Sequence, residues 1–186
     1  MKFFKKHWNT ILFLLLIVLL VVPQTRMPIQ VGIQRLFSFS PSEVSEENRE
    51  SVQSYNWALQ TLNGAPKNFN ASEGKVVLIN YWATWCPPCV AEMPSLQELY
   101  DAYGTKVDFY FISSETPETL AYFLQKKNYD LPVYIPQQQA PKELNANSLP
   151  TTYLLSKDGS IVIKEIGAAH WSSEKVTTTI DRLLKE

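Results

Sequence analysis

Cys86 and Cys89, the only two cysteines of this 186-residue chain, are separated by Pro87 and Pro88. Two intervening residues let both sulfur atoms come within disulfide distance at the first turn of a helix. A sulfur at a helix N-terminus faces unpaired N–H groups, which stabilise its thiolate form. Proline suits the first helical positions, where no N–H donor is needed. We therefore expect redox chemistry, with Cys86 as the nucleophile and Cys89 as the resolving thiol.

Composition excludes several other kinds of site. The net charge is −1 and only 19% of the residues are charged, so the chain has no basic footprint for nucleic acid. Two cysteines cannot form a disulfide framework, and without a neighbouring histidine they fall short of a four-ligand zinc site. We expect no metal, no nucleic-acid partner and no cofactor other than the redox-active Cys86–Cys89 disulfide.

The N-terminus resembles a targeting signal, because lysines precede an apolar run over residues 11–22. As a helix this run is only about 18 Å long, whereas a membrane core is about 30 Å thick. Cleavage requires small residues just beyond the run, but the first alanine of the chain is Ala58. We therefore expect an uncleaved signal anchor over residues 1–26, a single pass through the cell membrane, and a catalytic domain outside the cytoplasm, which is the periplasm in a Gram-negative cell.

Two further segments precede the globular part of the chain. Residues 27–39 alternate apolar and polar side chains, which fits either a short helix on the membrane surface or an irregular tether. Residues 40–54 are rich in Glu and Ser and read as a solvated linker. Residues 27–54 are thus expected to tether the domain formed by residues 55–186.

Hydrophobic patterns in residues 55–186 predict an α/β fold with a mixed sheet. The segments on either side of Asn63-Gly64 indicate a short strand or a hairpin, and Thr116 and Ser172 are the predicted N-caps of the last two helices. The predicted strands are 57–62, 67–70, 76–82, 107–112, 131–135, 151–155 and 160–166, with helices after Cys89, over 117–127 and after residue 172.

Three motifs carry a resemblance to a known family: the segment GKVVLINYWATWCPPC over residues 74–89, Glu92-Met93-Pro94, and the segment LPTT over residues 149–152. From about Tyr55 onward, the chain resembles the membrane-anchored, extracytoplasmic TlpA/ResA-type thiol-disulfide oxidoreductases of the thioredoxin superfamily. The resemblance implies a thioredoxin fold, with helices flanking a mixed central sheet, a short N-terminal β extension and an N-terminal membrane anchor.

The resemblance also implies roles for individual residues. Pro150 would form a cis peptide bond opposite the cysteines, and the backbone of Leu149 would pair with an extended substrate segment. Trp85 would shape the substrate-binding surface together with Pro87 and Pro88. Pro94 would kink the helix that follows the cysteines.

Proton transfer is expected to differ from that of cytosolic thioredoxins. Asn80 stands where those proteins carry a buried aspartate, and an amide cannot exchange a proton near neutral pH. Glu92 lies one helical turn after Cys89 and is the nearest carboxyl candidate for this task. The alternatives are an exposed helix charge for Glu92 and a hydrogen-bonded buried amide for Asn80.

Three other residues have simpler interpretations. Trp171 would either line the rim of the site or pack under the last helix. His170 would belong to the loop before that helix, and Glu115 would be solvated.

We expect the chain to reduce disulfides of extracytoplasmic client proteins. The resemblance suggests apocytochrome c as a client, and a membrane thiol electron donor would have to re-reduce the cysteines in an oxidising compartment. One alternative is a copper-binding protein that uses Cys86, Cys89 and His170, although the related Sco-type proteins have one more residue between their cysteines. Another is a thiol peroxidase, although Ala83 stands where the peroxiredoxin motif has threonine.

Overall fold

A computed structural model describes residues 2–186, and at residues 2–6, 16, 20, 21, 23 and 24 it describes the backbone alone. The helices are α1 (Lys2–Val21), α2 (Pro23–Leu36), α3 (Pro87–Tyr103), α4 (Pro117–Lys127) and α5 (Glu174–Lys185). The strands are β1 (Ala58–Thr61), β2 (Pro66–Asn68), β3 (Val77–Tyr81), β4 (Asp108–Ile112), β5 (Val133–Pro136), β6 (Thr151–Leu155) and β7 (Ile161–Ile166).

These strands form one mixed sheet in the order β2-β1-β5-β4-β3-β6-β7. Strand β4 runs parallel to its neighbours β3 and β5, and the other pairs are antiparallel. The predicted α/β class with a mixed sheet is confirmed. The predicted hairpin is also confirmed, because β1 pairs with β2 across a turn in which Gly64 has φ of +84°.

Strand β3 separates two hydrophobic cores. Leu78 belongs to the core that also contains both cysteines and buried residues of α3, whereas Val77 and Ile79 belong to the core on the opposite face. Because side chains alternate along a strand, Asn80 lies on the same face as Leu78. The polar side chain of Asn80 is therefore directed to the α3 side of the sheet.

The predicted N-cap residue is correct for α4 but not for α5. Thr116 caps α4 as predicted, and its hydroxyl accepts a hydrogen bond from the N–H of Thr119. The N-cap of α5 is Ser173, so the prediction of Ser172 is wrong by one residue. The Ser172 hydroxyl instead donates to Glu98 at 2.6 Å.

Residues 27–36 belong to α2, which packs against α3. The Arg35 Nε donates to the carbonyl of Ala91 on α3 at 3.3 Å. The helical alternative for this segment is thus confirmed in its secondary structure, and the irregular tether is wrong for residues 27–36. Helix α2 is therefore attached to α3, the helix that carries Cys89.

Residues 43–52 are exposed for the most part, as predicted, but they do not form a free linker, because they lie along the outer edge of β7. Backbone N–H groups of Val44 and Val52 donate to Val162 and Gly159 at 2.8 and 3.0 Å, and Val52 is buried. A free sheet edge exposes a row of unpaired backbone groups, so this segment protects β7 from pairing with another chain. The polar and charged composition of the segment did not indicate this role.

Glu43 fastens the same segment to α5. Its carboxylate accepts a hydrogen bond from Thr179 at 2.7 Å and forms ion pairs with Arg49 at 3.1 Å and with Arg182 at 2.8 Å. Thr179 is buried, whereas both ion pairs are partly exposed. Exposed ion pairs contribute little free energy, so these contacts position the segment on α5 more than they stabilise the fold.

The predicted membrane anchor is not supported. Among the helices of residues 2–186, none combines the length and the apolar character needed to cross a membrane. The lysines that precede the apolar run, at residues 2, 5 and 6, lie outside the described side chains.

We expect a fragment of residues 38–186 to be more stable than a fragment of residues 55–186, by about 2–4 kcal/mol in the free energy of unfolding. Burial of Val52 alone contributes about 1.5–3 kcal/mol, and the lost backbone hydrogen bonds add about 1 kcal/mol. Urea unfolding of the two oxidised fragments measures the difference. Glu47→Gln in the longer fragment changes an exposed residue of the same segment and should leave its midpoint unchanged. Equal stabilities of the two fragments would show that the segment is a loose tether.

Candidate active site

Cys86 and Cys89 form a disulfide at the N-terminus of α3, with their Cα atoms 5.3 Å apart. Cys86 is the N-cap residue, and its Sγ accepts a hydrogen bond from the N–H of Cys89 at 3.3 Å. Pro87 and Pro88 open the helix, as predicted. Cys86 is 4% exposed and Cys89 is fully buried, so both residues are buried and only Cys86 retains any exposed surface.

The loop between β3 and Cys86 is held by contacts to β4 and the loop after it. The N–H of Trp82 donates to the carbonyl of Ile112 at 3.0 Å. The carboxylate of Glu115 accepts from both the N–H and the hydroxyl of Thr84, at 2.7 and 2.6 Å. Glu115 is therefore not the solvated side chain that the sequence predicts, since it fixes a residue two positions before Cys86.

The peptide bond between Leu149 and Pro150 is cis, as the family resemblance implied. Thr151 follows directly and pairs with Tyr81, the last residue of β3. The cis bond and the cysteine loop therefore lie at the same end of two neighbouring strands. Pro150 is buried, whereas Leu149 and Trp85 are 36% and 66% exposed and form part of the surface here.

Glu92 is 1% exposed, so its interpretation as an exposed helix charge is wrong. Its Oε1 accepts a hydrogen bond from Asn80 Nδ2 at 2.7 Å, and its Oε2 accepts from the indole Nε1 of Trp171 at 3.0 Å and from the N–H of Ala169 at 3.3 Å. One carboxyl group thus joins α3, β3 and the loop before α5. Because Glu92 follows Cys89 by three residues, the two side chains are neighbours on the buried face of α3.

Burial raises the pKa of Glu92 to about 8, although the hydrogen bonds from Trp171, Asn80 and Ala169 act in the opposite direction. A buried carboxylate loses its hydration, which favours the neutral acid. At neutral pH the group therefore carries a proton for most of the time, and it can exchange that proton within the physiological range.

Asn80 is a buried amide with two hydrogen bonds. Its Nδ2 donates to Glu92 and to the hydroxyl of Thr152, both at 2.7 Å, while its Oδ1 has no partner among the described residues. The amide holds the Glu92 carboxyl in place from the β3 side without being able to ionise itself.

Sequence reasoning missed the parts played by Trp171 and Thr152. A buried indole N–H requires a hydrogen-bond acceptor. If Trp171 was expected to be buried, its indole therefore gave a weak indication of a buried polar partner. The acceptor is Glu92, 79 positions earlier in the chain, and no local pattern links the two. Pro94 lies inside α3, where its missing N–H weakens the helical hydrogen bonding, and its supporting role stays a prediction.

Within the described part of the chain, no group of three or more His, Cys, Asp or Glu side chains is placed to hold a metal ion. His170 is exposed, and its backbone N–H donates to the carbonyl of Phe39. The copper alternative therefore gains no support from the geometry.

The comparison with family models matches residues 52–164 to the AhpC/TSA family. The thioredoxin-like protein YneN of Bacillus subtilis is 32% identical over 148 residues, which cover 77% of this chain and 85% of that protein. The thiol-disulfide oxidoreductase ResA of Bacillus cereus is 31% identical over 163 residues, which cover 86% of this chain and 89% of that protein.

Among solved structures, a DsbF homologue from Corynebacterium diphtheriae superposes with a TM-score of 0.61 at 21% identity, covering 78% of this chain and 99% of that one. This likeness shows the thioredoxin-like fold. The matched family model and the two relatives identify the chain as a member of the AhpC/TSA family, a TlpA/ResA-like thiol-disulfide oxidoreductase.

Proposed function

We propose that this oxidoreductase reduces disulfides of client proteins outside the cytoplasm, with Cys86 as the nucleophile and Cys89 as the resolving thiol. The observation that carries the proposal is the pairing of a helix-capping Cys86 with a buried Glu92 one turn beyond Cys89. This arrangement gives the two thiols different tasks and provides a group that can accept the proton of Cys89.

The first step needs a thiolate on Cys86. In the reduced protein, the N–H groups of the first turn of α3 stabilise this thiolate, as the contact from the Cys89 N–H already indicates. The thiolate attacks one sulfur of the client disulfide, forms a mixed disulfide, and releases the other client sulfur as a thiolate that takes up a proton.

The second step needs a thiolate on Cys89, which is buried away from water. Glu92 in its carboxylate form accepts the Cys89 proton, and a pKa of about 8 leaves a fraction of Glu92 in that form at neutral pH. Cys89 then attacks Cys86, the second client thiol leaves, and two electrons have passed to the client.

We place client binding at the exposed surface around Cys86. Trp85 projects beside Cys86, Pro87 and Pro88 form the helix start, and the cis bond leaves Leu149 exposed at the same sheet end. The backbone of Leu149 would pair with an extended client segment, which is a common mode of peptide recognition.

The cellular setting is also part of the proposal. A basic N-terminus followed by an apolar run supports export of the domain from the cytoplasm. In that oxidising setting a membrane dithiol donor would restore the reduced cysteines, and apocytochrome c, whose cysteines must be reduced before haem attachment, would be one client. The copper-binding and peroxidase alternatives stay predictions that copper titration and peroxide consumption would decide.

We expect Cys89→Ser to accumulate mixed disulfides with clients in cells, because Cys86 can still attack but no thiol resolves the product. Non-reducing electrophoresis followed by mass spectrometry identifies the trapped proteins. Cys86→Ser is the matched control and should trap none. Trapping by Cys86→Ser alone would reverse the two roles, and trapping by neither variant would remove the proposal.

We expect Glu92→Gln to slow release of the client thiol from the mixed disulfide by about 10²-fold at pH 7, because general base catalysis contributes roughly 10²–10⁴-fold. Stopped-flow measurement of the second step over pH 6–9 should also lose the inflection near pH 8 that Glu92 provides. Glu98→Gln changes an exposed carboxyl of the same helix and should behave as wild type. An unchanged rate in Glu92→Gln would leave Glu92 with a structural role only.

The raised pKa of Glu92 also predicts how stability depends on pH. Between about pH 4.5 and 8 the folded protein retains a proton that the unfolded chain releases, so the free energy of unfolding falls as pH rises through this window. At about 1.4 kcal/mol per pKa unit, the loss has an upper limit of about 5 kcal/mol. Urea unfolding of the oxidised protein at several pH values measures it.

Glu92→Gln keeps a hydrogen-bonding side chain but cannot ionise, so its stability should vary much less over this window. Parallel pH curves for wild type and Glu92→Gln would show that the carboxyl titrates at its ordinary value.

A further inference from the structure

A cleft of about 440 Å³ lies directly beside the proposed client-binding surface. Its lining includes the exposed side chains of Trp85 and Leu149, which also flank the redox site. Trp57, fully buried and stacked 6.2 Å from Tyr81, forms a rigid aromatic part of the wall. A client segment bound at Leu149 would therefore pass the mouth of this cleft.

The side chains that line the cleft favour a positively charged ligand. Of the residues that line the cleft in the described part of the chain, only Glu115 is charged, and the other polar ones are neutral groups such as Gln138 and Asn145. Aromatic faces attract cations, with tryptophan the strongest of them, and a carboxylate adds a full negative charge. Both features favour a positively charged occupant.

The carboxylate of Glu115 is held in a fixed position. Its two oxygens accept hydrogen bonds from the N–H and the hydroxyl of Thr84, so the side chain cannot turn away from the cleft without breaking both. Each carboxylate oxygen can accept more than one hydrogen bond, which leaves capacity for a ligand. A preorganised acceptor loses little conformational freedom on binding.

We propose that this cleft binds a lysine or arginine side chain that lies next to the reactive cysteine of a client, with Glu115 as the residue that determines this specificity. The inference rests on the proposed function, since it concerns which clients the Cys86 thiolate meets. Arginine suits the cleft best, because a planar guanidinium can stack on tryptophan and bond to a carboxylate at the same time. A client whose neighbouring residue is acidic would be disfavoured by the same charge.

The test uses the reduced full chain and three disulfide-bonded peptides that are identical except for one residue beside the cysteine: Arg, Leu or Glu. Second-order rate constants for peptide reduction are measured at low ionic strength. We expect the Arg peptide to react about tenfold faster than the Leu peptide, the Glu peptide to be the slowest, and the preference to shrink as salt is added, as for any exposed charge pair.

Glu115→Gln isolates the charge, because its amide oxygen can still accept the Thr84 N–H and its NH₂ group can still donate to the Thr84 hydroxyl. The ratio of Arg to Leu rates should fall to about twofold or less in this variant. Glu118→Gln removes an exposed carboxylate three residues further on, at the start of α4, and should keep the wild-type ratio.

The outcomes separate this inference from the function on which it rests. Equal rates for the three peptides, a preference for Leu or Glu, or an Arg preference that survives Glu115→Gln would overturn the specificity while leaving disulfide reduction in place. Failure to reduce any of the peptides would overturn both.

Discussion

The buried carboxyl group of Glu92 is the contact on which the arrangement of the site depends. It receives hydrogen bonds from Asn80 on β3, from the backbone of Ala169, and from the indole of Trp171. Removing a partner from such a buried polar group leaves the rest unsatisfied, which costs about 1–3 kcal/mol or more. The helix that carries Cys89 is therefore aligned against the sheet by the same side chain that we propose as the proton acceptor.

The protein combines two opposite electrostatic environments within the first two turns of α3. Cys86 caps the helix, where unpaired N–H groups favour negative charge, whereas Glu92 is buried, where negative charge is disfavoured. The same core that stabilises the fold thus raises the pKa of Glu92 to about 8. Fold stability at neutral pH and the proposed proton exchange at the site are linked, because both depend on burying one ionisable group.

Local sequence patterns predicted the parts of the structure that local physics determines. The Asn63-Gly64 hairpin, the Thr116 cap and the two prolines at the start of α3 follow from turn and capping preferences. The cis bond before Pro150 came from the family resemblance alone, since most X-Pro bonds are trans.

The remaining features depend on tertiary contacts that no short pattern contains. The contact of Trp171 with Glu92 and that of Glu115 with Thr84 span 79 and 31 positions. Residues 43–52 have the composition of a linker, yet they cover the edge of β7, because backbone hydrogen bonding does not depend on side-chain polarity. Composition alone therefore missed the attachment of residues 43–52 to the sheet edge and the fixed position of Glu115.

The direction of electron flow is the central claim, and the reduction potential of the Cys86/Cys89 couple tests it most directly. Equilibrating the protein with dithiothreitol buffers at pH 7 and counting free thiols gives this value. We expect a potential as negative as that of thioredoxin, about −270 mV, which allows the reduced protein to transfer electrons to client disulfides. A potential near about −120 mV, which is typical of a strong protein oxidant, would contradict it.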